Sequence, residues 1–227
     1  MNMDEAILNA FPLLAMPRSG ALPAATQSGM RYLVGNNGLW REVNLPWIRL
    51  VSPIVTCGYG IRPPYGEVQN ICEIRCSPVP LDLVQRFGRE AREATPTEIA
   101  AALIWNEADD SWRYARRNAR TSSKSNIVYD EVRLEDGEHL VVDMHSHGAF
   151  PAFFSKEDDR DDNGTMRFSL VIGSLGTAKV TSAMRLCMAG LLLRASIDEA
   201  GRLEVPCMDG LFLRPKIDEA GKLEVAQ

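Results

Sequence analysis

From residue 145 to residue 158 the chain reads His145-Ser146-His147-Gly148-Ala149-Phe150-Pro151-Ala152-Phe153-Phe154-Ser155-Lys156-Glu157-Asp158, just after an apolar run, Leu140-Val141-Val142. Alternate residues of a β-strand share a face, so His145 and His147 can present both imidazoles to one ion. Asp158 follows with a carboxylate, and Ser155 stands three residues before it. Two histidines and one carboxylate, with a fourth position left open, form the ligand set of a catalytic zinc site; structural sites are closed by four protein ligands. A plainer reading makes Ser155-x-x-Asp158 a helix capping box. The chain has only three histidines, and two of them fall in this stretch. The third, His139, reads as a surface residue.

His-x-His, seven residues, Ser, two residues and Asp resembles the signature of the JAMM (MPN-plus, JAB-domain) metalloproteases, without a gap. That family also uses a Glu well upstream, at the end of the first helix. Glu98 sits at that distance in Ala94-Thr95-Pro96-Thr97-Glu98-Ile99-Ala100, with Pro two residues before it and a small apolar run after it. Glu107 is the rival, but Asn106-Glu107-Ala108-Asp109-Asp110 reads as an exposed acidic turn. The resemblance implies an α/β (α+β) domain, a β-sheet flanked by helices of the cytidine-deaminase-like kind. It also implies zinc on His145, His147 and Asp158, Glu98 as proton carrier and Ser155 as oxyanion donor. The expected activity is that of a zinc metallopeptidase, a deubiquitinase-like isopeptidase. Its expected substrate is a ubiquitin-like or sulfur-carrier-like protein, with ThiF/E1-like and E2-like proteins as further partners.

Two other readings stand beside it. Asp143-x-His145-x-His147-Gly148 also looks like the first strand of an amidohydrolase or PHP-type phosphoesterase barrel. Such barrels draw further histidines from later strands, and no His follows His147. A non-catalytic MPN scaffold is the other alternative, although scaffolds of that kind usually lack the metal ligands.

Outward from the motif, Val128–Leu134, an Asp136-Gly137 turn and His139–Met144 read as a hairpin that delivers the histidines. Downstream, Arg167–Ile172 reads as a strand, Gly173–Gly176 as its turn, and Thr181–Leu193 as a strand and hairpin. Asp159, Asp161 and Asn163-Gly164 imitate the first half of an EF-hand loop. Its twelfth position is Leu170 where a bidentate Glu is needed, so calcium is rejected and Asn163-Gly164 is a turn.

Residues 1–79 read as a β-rich module. Tyr32–Val34, Gly35-Asn36-Asn37-Gly38 and Leu39–Val43 form a hairpin pattern, followed by strands at Trp47–Val55 and Gln69–Cys76 with a loop at Arg62–Gly66. Pro78 and Pro80 mark the boundary to a zinc-protease-like domain over 80–190. Asp82 is expected to cap a helix to about Ala94 that buries Leu83, Val84, Phe87 and Ala91. Trp112–Arg116 reads as a strand and Ser122–Asn126 as a mobile loop. Residues 191–227 form a duplicated tail: 186–205 and 206–225 agree at 14 of 20 positions, and Ile-Asp-Glu-Ala-Gly recurs at 197–201 and 217–221. Two copies are too few for a solenoid and suggest a hairpin repeat extending the sheet edge.

Composition bounds the rest. The 227 residues are 45% apolar, enough for a real core, and carry a net charge of −5. No basic stripe outweighs the acids, which argues against nucleic acid as a partner. The one basic cluster, Arg113, Arg116, Arg117 and Arg120, reads as a solvated face or a docking edge for an acidic partner. No apolar run reaches a membrane span, and the N-terminus, with Asp4, Glu5 and Pro12, lacks a signal peptide's basic start. Five cysteines, an odd number, suit a reducing cytosol, so a cytoplasmic protein is expected; Cys72 and Cys76 read as ordinary thiols. Oligomeric state is left open, a dimer included.

Overall fold

The computed structural model describes residues 2–57, 60, 62–123 and 126–206, with strand pairs at 216–217 and 223–224; for 119–128 it describes the backbone alone. A short helix, α1 (Met3–Ala10), opens with a capping box between Asn2 and Glu5. Then come β1 (Leu13–Ala15), β2 (Gly29–Gly35), β3 (Gly38–Leu45), β4 (Ile48–Thr56) and β5 (Ile71–Ile74), one sheet in sequence order. The β2–β3 hairpin turns over Asn36-Asn37 with Gly35 opposite Gly38, as its turn residues predict. Glu42 on β3 is fully buried and accepts hydrogen bonds from Arg31 on β2 and Arg49 on β4. Burial alone would raise this carboxyl, but the two guanidiniums outweigh it and hold the carboxyl low.

Across the prolines runs α2 (Leu81–Ala94). Pro80, not Asp82, is its N-cap, and no side chain caps it. Asp82 falls one residue inside, where its charge still favours the positive end of the helix dipole. Phe87 and Ala91 are buried, with Leu83 and Val84 packed partly against the core.

The second sheet comprises β6 (Ala100–Asn106), β7 (Ser111–Arg117), β10 (Glu138–Ser146), β11 (Met166–Gly173), β12 (Thr181–Met188) and β13 (Leu191–Arg194), ordered β13-β12-β11-β10-β6-β7. Between β7 and β10 lies a separate ribbon, β8 (Ala119–Ser123) paired with β9 (Asn126–Tyr129). Two expectations are corrected here. The strand carrying the histidines does not form a hairpin with 128–134. β9 pairs with β8, while β10 pairs antiparallel with β6 and parallel with β11. The supposed loop at Ser122–Asn126 instead contributes ends to both ribbon strands, and the two residues between them lie outside the described ones. In the first case β-propensity located the strand, but its pairing partners, distant in sequence, are set by tertiary packing.

The β10–β11 pair is parallel, so its connection must cross over the sheet, and it carries α3 (Lys156–Asp162). The sheet's two faces differ in chemistry. One presents Ala101, Leu103, Trp105, Val142, Met144, Phe168, Leu170 and Leu186 to a core shared with α2, with Val43, Ile48 and Leu50 of the first sheet, and with Trp47 in its β3–β4 turn. Trp47 meets Phe168 at 5.8 Å across that junction. The other face sets Asp143, Arg167, Ser169 and Arg185 among buried apolar residues such as Ile104 and Val171, and α3 bonds to it. Such a mixed sheet with helices on both faces is consistent with a JAB/MPN-like α+β fold. Its open order also excludes the eight-stranded parallel barrel of the amidohydrolase reading.

The first tail copy extends this sheet through its edge strand β13 and then leaves it. β14 (Ser196–Ile197) and β15 (Leu203–Glu204) form their own two-stranded ribbon, with Ala195 and Leu203 buried in the main core. At its turn Gly201 has φ +81°, and a Cβ there would stand 2.2 Å from the Val79 carbonyl oxygen. In the second copy β16 (Lys216–Ile217) and β17 (Leu223–Glu224) repeat the register twenty residues on, with Lys216 opposite Glu224 as Ser196 is opposite Glu204.

Candidate metal centre

His145 is the penultimate residue of β10 and His147 follows the strand's end, so the two imidazoles leave by the same face. Ser146 between them points the other way and is fully buried. Its amide donates to the Ile99 carbonyl and its hydroxyl accepts from the Ile99 amide. This clasp prolongs the β6–β10 pairing, in which Ala100 faces His145. One step further along the same pairing is Glu98, which is thereby delivered beside His147. Glu98 lies not at a helix end but in the link between α2 and β6. The rival Glu107 is at the opposite end of β6, exposed, 3.5 Å from His139, and takes no part in the cluster. His139 itself is only a quarter exposed and stacks on Trp105 at 5.9 Å.

The Gly148–Phe154 loop is held against the end of β11. Leu175 N donates to the Gly148 carbonyl at 2.8 Å and Ser174 N to the Phe150 carbonyl at 2.6 Å. A side chain at Gly173 would put its Cβ 2.3 Å from the Phe150 carbonyl, so glycine is required for this approach. Phe153 then sets its ring edge-on to His147 at 4.6 Å.

Ser155 begins α3 as its N-cap, and the capping box is complete. Asp158 Oδ2 accepts from both the Ser155 amide and the Ser155 hydroxyl, each at 2.6 Å. Asp158 Oδ1 faces away from that box and lies 3.3 Å from His145 Nε2. His145 Nε2 is also 3.3 Å from His147 Nε2. One donor atom each from His145, His147 and Asp158 falls within 4.8 Å of the others, a set able to hold a metal ion. Capping box and metal-ligand reading therefore describe the same pair of residues.

Charge at the site is tuned mainly by burial. It pushes the His145 imidazole down, against the pull of Asp158, and so keeps it neutral with its lone pair available. Burial also pushes the Glu98 carboxyl up; Asp158 adds to this while His147 opposes it. Tyr129 is pushed up to about 12, first by burial and then by Glu98.

Behind the cluster runs a chain of charges that the sequence does not announce. Arg117 on β7 contacts both oxygens of Asp143 at 2.8 Å, Arg167 on β11 joins Asp143 to Asp162, and Arg185 on β12 joins Asp162 to Asp159. Asp143, read in the sequence only as part of a barrel-type motif, precedes His145 by two and shares its face. Its partners come from other strands and leave no local signal.

Fold and donor set together define a mixed α/β domain with a two-histidine, one-carboxylate cluster at the head of a parallel crossover. Residues 80–187 match the family model described as prokaryotic homologs of the JAB domain, which supports the JAB family for this part of the chain. Residues 1–75 match a model described as a domain of unknown function (DUF2016). The solution structure of protein DSY2949 from Desulfitobacterium hafniense aligns at 20% identity over 55% of this chain and 85% of that one, with a TM-score of 0.36. So loose a likeness carries no argument. No curated protein matches the chain. No helix among the described residues is long and apolar enough to cross a membrane.

Proposed function

We propose that the chain is a zinc-dependent JAMM-type metallopeptidase that hydrolyses an amide bond at the C-terminal tail of a ubiquitin-like protein. The observation that carries the zinc reading is the spacing of His145 Nε2 from the other two donors. Ligands at zinc's usual bond length of about 2.0–2.1 Å on a tetrahedron stand about 3.3 Å apart. That is the separation of His145 Nε2 from both His147 Nε2 and Asp158 Oδ1.

His145, His147 and Asp158 would hold the ion, and zinc so held supplies Lewis acidity and lowers the pKa of a water toward ~7. Glu98 accepts the proton of the attacking water and returns it to the leaving amine, one carboxylate acting first as base and then as acid. Its raised pKa suits both halves of that task. Ser155 directs its hydroxyl proton at Asp158, so its first effect is to fix the ligand's orientation. To serve an oxyanion as well, it must exchange that bond.

The choice of substrate rests on resemblance. Val142-Asp143-Met144 before the motif and the acidic run after it resemble protein A of the bacterial PRTRC cassette. That resemblance implies ubiquitin-like and ThiF-like components of the same cassette as the partners of choice. An extended tail can also reach a recessed site by adding a strand to an exposed edge.

The test is to measure zinc per chain in wild type and in His145→Ala, then follow tail-extended ubiquitin-like proteins by mass. About one zinc per chain, lost in the variant, with trimming by wild type and none by Asp158→Ala, is the expected result. Zinc bound without hydrolysis of any acyl bond would move the protein to the non-catalytic MPN scaffold. Absence of zinc binding would overturn the reading.

A further inference from the structure

We propose that Arg185 is the positioning residue for Asp158, clamping α3 to the sheet so that the carboxylate stays in reach of the two histidines. The inference rests on the zinc reading above. α3 is only seven residues long, Lys-Glu-Asp-Asp-Arg-Asp-Asp, and contains no apolar side chain. A helix this short does not persist by itself, and one without an apolar stripe cannot dock by burying surface. Five of its residues are acidic and two basic, so repulsion along it has to be offset from outside.

The offset comes from β12. Arg185 is 6% exposed and reaches α3 at two points. Its Nη1 donates to Asp159 Oδ1 at 2.5 Å, while Nε and Nη2 donate to Asp162 Oδ2 at 2.9 and 2.7 Å. A third contact lies just before the helix, where the guanidinium sits 3.8 Å from the Phe154 ring centroid. Asp162 is further held by Ser169 Oγ at 2.9 Å and Arg167 Nη2 at 3.2 Å. Residues 159 and 162 are three apart and share a helix face; fixing that face fixes the rotation of the helix. Asp158 is the neighbour of Asp159, so the same rotation sets where its Oδ1 points. Lysine could not replace this geometry, because only a planar fork can serve two carboxylates while lying on an aromatic face.

The experiment uses the full chain and compares wild type with Arg185→Lys, Asp159→Asn and Arg113→Ala. Arg113 pairs with Glu138 at the other end of the sheet and controls for lost stability without lost clamping. Zinc affinity is read by competition with a chromophoric chelator, site geometry by the visible spectrum of the cobalt-loaded protein, and helix docking by amide hydrogen exchange over residues 156–162. Arg185→Lys is expected to weaken zinc about 10–100-fold, the usual cost of losing a ligand's support, and to change the cobalt spectrum. Asp159→Asn, which keeps the buried Asp162 pair, should move both readouts the same way by less, and serves if Arg185→Lys does not fold. Arg113→Ala should move neither.

Exchange over 156–162 should quicken in the clamp variants while β10 and β11 stay protected. Unchanged exchange there overturns the clamp, whatever the metal does. Wild-type zinc affinity in folded Arg185→Lys and Asp159→Asn also overturns it. Failure of the wild-type protein to bind zinc, with exchange responding as expected, leaves the clamp standing as a helix anchor and removes the zinc reading instead.

Discussion

At Asp158 the two carboxylate oxygens have separate tasks, Oδ2 closing the helix cap with Ser155 and Oδ1 turned to His145. Glu98 makes no such bond among the described contacts; its carboxyl is governed by burial, which raises it. A carboxyl raised in the folded state stabilises that state at low pH, and the benefit is lost as pH rises through the raised value. Glu98→Gln removes this liability, so the metal-free variant should melt no lower than wild type at neutral pH. It should also retain zinc yet lose turnover by about 10²–10⁴-fold, the usual share of general acid–base catalysis. Unchanged turnover in that variant would take the proton-carrying role away from Glu98. Glu107 could not inherit it, standing a full strand length away.

β10 is secured at both ends, by the Ser146–Ile99 clasp beside the site and by Glu138 at its head. Glu138 accepts from Arg113 Nε and Nη2 at 2.5 and 2.6 Å and from the Glu135 amide at 2.8 Å. The Arg113 bonds come first among the causes that lower its carboxyl to about 2. The sign follows from a depressed folded value: the stabilisation is present above the ordinary carboxylate range and is lost as pH falls through it toward about 2. Melting temperature followed across that window should fall less steeply in Glu138→Gln than in wild type. The effect is modest, because Arg113 is 41% exposed and solvent screens the pair. Identical slopes would show that the head of β10 does not depend on this charge.

For the whole molecule, the core determines how much of the tail is needed. Leu193, Ala195 and Leu203 are each 7% exposed in the main cluster, and the described core ends with Val205 packed against it. Truncation after Val205 is expected to give a folded protein that binds zinc as the full chain does. Truncation after Arg194 removes Leu203 and the Gly201–Val79 contact. Loss of a buried leucine costs about 2–5 kcal/mol, which at this size lowers the melting temperature by roughly 5–15 °C. Calorimetry of the two truncations decides it; an equal loss in both would mean that the second copy also completes the core.

Much was legible locally. The β2–β3 hairpin announced itself by Gly35-Asn36-Asn37-Gly38, α2 by the spacing of Phe87 and Ala91, and the candidate metal cluster by two histidines of one strand face followed by a Ser-x-x-Asp cap. Each of these depends on residues near one another in the chain, where strand and helix periods dictate which side chains share a face. The sequence reading failed at the pairing of β10, which lies between β6 and β11 and not beside 128–134, and at the start of α2, which Pro80 and not Asp82 heads. Glu98 became a neighbour of His147 only because β6 and β10 run antiparallel with Ala100 against His145. Arg185 became a support for α3 because β12 lies two strands from β10 in the sheet. Local periodicity therefore paired the two candidate histidines, whereas the places of Asp158, Glu98 and Arg185 were decided by tertiary docking and strand order. The choice among strand orders is made by long-range burial, as in the packing of Trp47 on Phe168 across the two sheets, and no short window of sequence contains it.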